Sequence, residues 1–107
     1  MLHALSTSEA KQYRDNGFFI RRNVFQDQEI SKFIEAVEIS VIEAKDLAKK
    51  GKAYILDGKR FVDIDYLTIQ FEPKESSETI KVIEPANQLN RILDDLVRDI
   101  RIVNPIK

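Results

Sequence analysis

The sequence predicts an α+β fold in a single domain. Three observations carry that prediction. Apolar residues recur at spacings of three and four between residues 30 and 48, Asp57-Gly58 sits between two β-prone runs, and apolar and polar side chains alternate over residues 66–71. The order of elements is helix, strand, long helix, strands, helix.

Ser6 with Glu9 three residues on forms a capping box, so the first helix is expected to run to about Asn16 before the helix-stopping Gly17. Phe18, Phe19 and Ile20 are β-prone and follow a breaker directly, which predicts a short strand ending near Asn23. Asp27 is expected to cap a second helix with Glu29 in its first turn. Its core-facing stripe is predicted as Ile30, Phe33, Ile34, Val37, Val41, Ala44 and Ala48, with Lys45, Lys49 and Lys50 near the end and Gly51 closing it.

Residues 54–56 and 61–64 then read as a hairpin about Asp57-Gly58. Leu67, Ile69 and Phe71 share one face of a further strand that Pro73 ends, and KESSE is a polar loop. Ile80, Val82 and Ile83 suggest another short strand. Pro85 should open a last helix with the stripe Leu89, Leu93, Leu96 and Ile100. Residues 102–107 lack the polar fade of an ordinary chain end, so the sequence reads as cut there.

At 107 residues with a net charge of −1, and with basic and acidic residues interleaved, the chain is not built for nucleic acid or an anionic membrane. The absence of cysteine excludes disulfides, thiolate zinc sites and iron–sulfur clusters. No apolar run has the length of a membrane span and the first residues do not resemble a signal peptide, which predicts a cytoplasmic protein.

Chemistry-bearing residues are sparse. His3 is the one histidine and belongs to a terminal tail. Asp63 and Asp65, two apart on a predicted strand, would share a face and suit paired-carboxylate work or a divalent cation, although a solvated face explains them as well. Arg21-Arg22 and Lys59-Arg60 could meet an anion, but no glycine-rich loop accompanies them and ordinary surface is the simpler reading. There is no nucleophile elbow, phosphate loop or dinucleotide fingerprint.

Two stretches nevertheless carry a resemblance: LSTSEAKQYRDNGFFIRRNVFQDQEI, and FVDIDYLTIQFEP followed by SETIKVIEPANQLNRILDDLVRDIRI. In this order they resemble the N-terminal region of the phytanoyl-CoA dioxygenase family, whose members are non-haem iron(II), 2-oxoglutarate-dependent oxygenases acting on small organic substrates. The resemblance implies a double-stranded β-helix, or jelly roll, with flanking helices, of which residues 1–107 would be one partial, N-terminal piece. It also implies iron held by His-x-Asp and a distant second histidine, three ligands on one side that leave positions open for 2-oxoglutarate and oxygen.

Here His3 is followed by Ala4 and Leu5, and one histidine cannot supply two ligands. The triad is expected beyond Lys107, and the chain alone is expected to hold neither iron(II) nor 2-oxoglutarate and to contain no catalytic residue. Tyr54, Arg60 and Gln70 become candidates for the wall of a substrate pocket. An incomplete jelly roll would leave Leu67, Ile69, Phe71 and residues 17–25 as an exposed apolar face open to self-association. The competing expectation is a small standalone α+β interaction module, compact and monomeric or dimeric.

Overall fold

The computed structural model describes every residue from Met1 to Lys107. Its elements are helix α1 (Thr7–Asn16), helix α2 (Asp27–Ala48), strands β1 (Lys52–Leu56), β2 (Lys59–Ile64), β3 (Leu67–Phe71) and β4 (Ile80–Glu84), then short helices α3 (Arg91–Leu96) and α4 (Ile100–Val103). The α+β class therefore holds. The four strands form one antiparallel sheet in the order β1-β2-β3-β4. No helix is long and apolar enough to cross a membrane.

Local chemistry explains the turns. Asp57 and Gly58 both take positive φ, 52° and 73°, which is the twist that a two-residue hairpin joining Leu56 to Lys59 requires. Asp65 takes φ 51° in the next turn, a conformation that aspartate tolerates better than most residues. Between β3 and β4, Phe71 pairs with Ile80 while Gln70 pairs with Val82, so Lys81 is an extra residue in a bulge. That single insertion puts both Ile80 and Ile83 against the core.

The core is small. Val62, Ile69 and Phe71 from the sheet meet Ala44 of α2, with Ala48, Ile64, Ile80, Ile83 and Leu89 packed around them. The buried face of α2 is Ala36, Ser40 and Ala44, and the Ser40 hydroxyl is satisfied by donating to the Ala36 carbonyl at 2.7 Å. Small side chains allow the helix to lie close on the strands. Gly51 serves the same approach, since a Cβ there would stand 2.5 Å from Val62 Cγ1 and 2.7 Å from the Asp63 carbonyl.

Four expectations are corrected. Residues 18–20 lie outside any regular element and pair with no strand, because a β-prone sequence without a ladder partner cannot form one. Ile30, Ile34 and Val37 of the predicted core stripe are exposed, since the sheet meets the neighbouring face of α2. Leu67, Ile69 and Phe71 are buried instead of forming an open apolar face, because α2 and the chain after β4 cover that side of the sheet. The predicted last helix is broken: a 3₁₀ turn at Ala86–Leu89 precedes Asn90 and Asp99, whose carboxamide and carboxylate oxygens accept from Ile92 N and Arg101 N and start new helices.

The molecule is extended, with a radius of gyration of 17.7 Å against about 13 Å for a compact domain of roughly 100 residues. Ile69 is wholly buried, so Ile69→Ala is expected to cost about 2–5 kcal/mol. Gly51→Ala should cost about 1–3 kcal/mol through overpacking. Urea unfolding followed by circular dichroism measures both, and a Gly51→Ala protein as stable as the parent would contradict the close approach.

Candidate functional site

The two faces of the sheet differ sharply. Cross-strand partners share a face, so Tyr54, Phe61, Gln70 and Val82 form one row across all four strands on the side away from α2. Tyr54 and Phe61 stack with ring centres 5.4 Å apart and planes 17° apart. In the next row the Asp63 carboxylate accepts from the Tyr54 hydroxyl and from the Thr68 hydroxyl, each at 3.0 Å. Desolvation first, and then the Asp63 carboxylate, push the Tyr54 phenol above its ordinary value, so it stays a protonated donor at neutral pH.

Of the three pocket-wall candidates, Tyr54 and Gln70 therefore share one row and Arg60 lies on the opposite face. Arg60 pairs across the ladder with Phe71, and its guanidinium stands 5.6 Å from the Phe71 ring centre. Its Nη1 donates to the carbonyls of Glu72 and Ser77, each at 3.1 Å, and to that of Lys74. One guanidinium thus organises the β3–β4 loop. That loop walls an open groove of about 470 Å³ whose far side is Ile42, Lys45 and Lys49 of α2.

Asp63 and Asp65 do not act as a pair, because β2 ends at Ile64 and Asp65 belongs to the turn. No group of three or more His, Asp or Glu side chains gathers where a metal ion could sit. Arg21 is committed to internal contacts rather than a free anion site. It donates from Nε to Glu9 Oε2 at 2.7 Å, from Nη2 to Glu9 Oε1, and to the carbonyls of His3 (2.9 Å) and Ala4 (3.2 Å).

Sequence reasoning missed the other polar centre. Arg101 donates to Asp99 Oδ1 (2.9 Å) and Oδ2 (2.7 Å) and to Glu29 Oε1 (3.0 Å), with its guanidinium 4.3 Å from the centre of the Phe25 ring. Phe25 in turn meets Phe33 edge to face at 5.3 Å. Nearby, Asn104 Nδ2 donates to the Leu2 carbonyl at 2.7 Å, so both chain ends meet at this corner. A contact 72 residues apart leaves no periodic trace; only the two phenylalanines, at 25 and 33, hinted at an aromatic partner.

Comparison with protein-family models, with characterised proteins and with solved structures gives no match to this chain.

Hydrogen bonds from Arg21 hold the Glu9 carboxyl down from the ordinary 4.5 to about 2, and those from Arg101 hold Asp99 down from 3.8 to about 2. A carboxylate with a depressed value stabilises fully above its unfolded value and loses that contribution as pH falls through its folded one. Loosening of the N-terminal arm and the C-terminal corner is therefore expected as the pH falls from about 4.5 to about 2. NMR shifts of residues 1–25 and 97–107 should report it, ahead of Ile69. Arg21→Met should abolish the arm's transition and Arg101→Met the corner's; a transition retained in both would disprove these ties.

Proposed function

We propose that the chain works as the N-terminal portion of a cytoplasmic oxygenase of the phytanoyl-CoA dioxygenase type, which hydroxylates a small organic substrate with iron(II) and 2-oxoglutarate. The iron ligands would come from polypeptide that lies against this one and completes a jelly roll. The resemblance of the two quoted stretches motivates this reading. The observation that carries it is the two-sided sheet: α2 covers one face, while the row Tyr54, Phe61, Gln70 and Val82 lies on the other with no element of this chain across it.

In such an enzyme the helix-covered face would look outward and the uncovered face would look into the substrate chamber. Tyr54 and Gln70 would then contribute a phenol donor and a carboxamide to the chamber wall, with Asp63 fixing the Tyr54 hydroxyl. Arg60 would take no part, being occupied by the loop carbonyls. The chain's own residues would bind and orient; oxygen activation would belong to the metal-bearing portion.

The chain alone should release no succinate from 2-oxoglutarate in the presence of iron(II), measured against an enzyme-free blank. Turnover above blank would overturn the assignment of the ligands to other polypeptide. The DNA following the Lys107 codon should encode His-x-Asp and a distant histidine in one of its frames, and none would count against the family reading. A second reading, a small interaction module, is favoured by the exposed apolar side chains of α2.

A further inference from the structure

The sheet ends on two edges of different character. At one of them β4 carries the Lys81 bulge, a charged Glu84 as its last residue and then Pro85, which has no N–H to donate. Bulges, charges and proline all discourage a further strand. At the other edge β1 has none of these but Lys52. No backbone hydrogen bond from outside the sheet reaches residues 52–56, and Ile55 and Leu56 are 73% and 58% exposed.

The hairpin decides which groups of β1 face outward. In a two-residue hairpin the residues flanking the turn, Leu56 and Lys59, exchange both hydrogen bonds. Alternation then commits Lys52 and Tyr54 to β2, while the N–H and C=O of Ala53 and Ile55 point to the open edge. These donors and acceptors stand in strand geometry with no partner in the chain.

We propose that β1 is a dimer edge: two copies of this chain pair β1 to β1, antiparallel about a two-fold axis at Tyr54, and join their sheets into one. Ala53 of each copy then exchanges both backbone hydrogen bonds with Ile55 of the other, so every outward donor and acceptor of those residues is satisfied.

The side chains select a second copy as the occupant. This register sets each exposed Ile55 beside the small Ala53 of the other copy, large against small on both sides of the axis. Phe61 stacks on one face of the Tyr54 ring, so the other face points past the edge, where the second Tyr54 continues the aromatic row. Charges agree with the antiparallel direction. It brings Lys50 and Lys52 of one copy to Asp57 of the other, and none of these three has an ion-pair partner within the chain. Behind them, Asp63 lies opposite Lys52 and Lys59 opposite Leu56 within each copy, so Lys59 is held off from the other copy's Lys52 by the width of a strand. A parallel arrangement would instead set Lys52 by Lys52 and Asp57 by Asp57, which is unfavourable.

A five-residue strand is a small interface, so the dimer should be reversible, with a dissociation constant on the order of micromolar to millimolar. The edge lies in the plane of the sheet and leaves both faces as they are, so pairing here does not depend on the oxygenase reading.

Sedimentation velocity of the whole chain over a rising concentration series should show monomer passing to dimer and nothing larger, because β4 offers no second edge. Amide hydrogen exchange locates the contact: Ala53 and Ile55 should exchange freely in the dilute chain and become protected at high concentration, with Tyr54 and Phe61 protected throughout. Ile55→Lys changes an exposed position, and Ala53→Pro removes an outward N–H but no bond of the β1–β2 ladder. Each should weaken dimerisation about tenfold or more with the circular dichroism of the parent. Asp57→Asn keeps a residue suited to the turn and should weaken dimerisation severalfold and flatten its dependence on salt. A monomer at every concentration up to millimolar, a dimer undiminished by Ile55→Lys, or a dimer in which Ala53 and Ile55 stay unprotected would overturn the proposal. So would protection of those amides by an added β-prone peptide in a chain that otherwise stays monomeric, which would make another protein's strand the occupant.

Discussion

Everything else in this molecule hangs on the seating of α2 on the sheet. Ala44 against Val62, Ile69 and Phe71 is where helix and strands bury one another, Ala44 and Ile69 fully. It works because Ala36, Ser40 and Ala44 are small, so the helix can come close enough for Ile69 to be enclosed. Gly51 lets the chain turn into β1 without holding the two layers apart. Larger residues along that seam would be more apolar and would bury less, since the helix would ride higher.

Outside this seam the molecule is held by polar ties. Arg21, Arg60 and Arg101 each lie by an aromatic ring and each donate to several oxygens: Arg21 fixes the N-terminal arm, Arg60 the β3–β4 loop, and Arg101 the corner where the ends of the chain meet. A planar guanidinium suits this work because its donors form a rigid fork and its faces stack. Such ties fix geometry without much apolar burial, and exposed pairs contribute little energy each. No residue of α1 is buried, so the arm belongs to the least stable part of the structure.

The sequence made some of this legible and left the rest open for physical reasons. The capping box at Ser6 and Glu9, the Asp57-Gly58 hairpin and the shared face of Leu67, Ile69 and Phe71 are local features, determined by residues within a turn or two of one another. The seat of α2 is different. That helix carries apolar residues around much of its circumference, and periodicity cannot say which face the sheet will choose; of the predicted stripe Ala44 and Ala48 pack on the core while Ile30, Ile34 and Val37 stay exposed. The three candidate wall residues divide between the two faces, because Tyr54, Arg60 and Gln70 were chosen by residue type. The register puts Tyr54 and Gln70 on one side and Arg60 on the other.

Two groups among the uncovered side chains make different demands. The Tyr54, Phe61 and Gln70 row is flat, mixed in polarity and anchored by the Asp63 hydrogen bonds, a surface that suits oriented contacts with a polar ligand or another sheet. The α2 ridge is convex and aliphatic, with Ile30, Ile34 and Val37 exposed along it. Because the sheet and α2 lie between them, one ligand cannot serve both. Both surfaces are built on one core whose centre is Ile69.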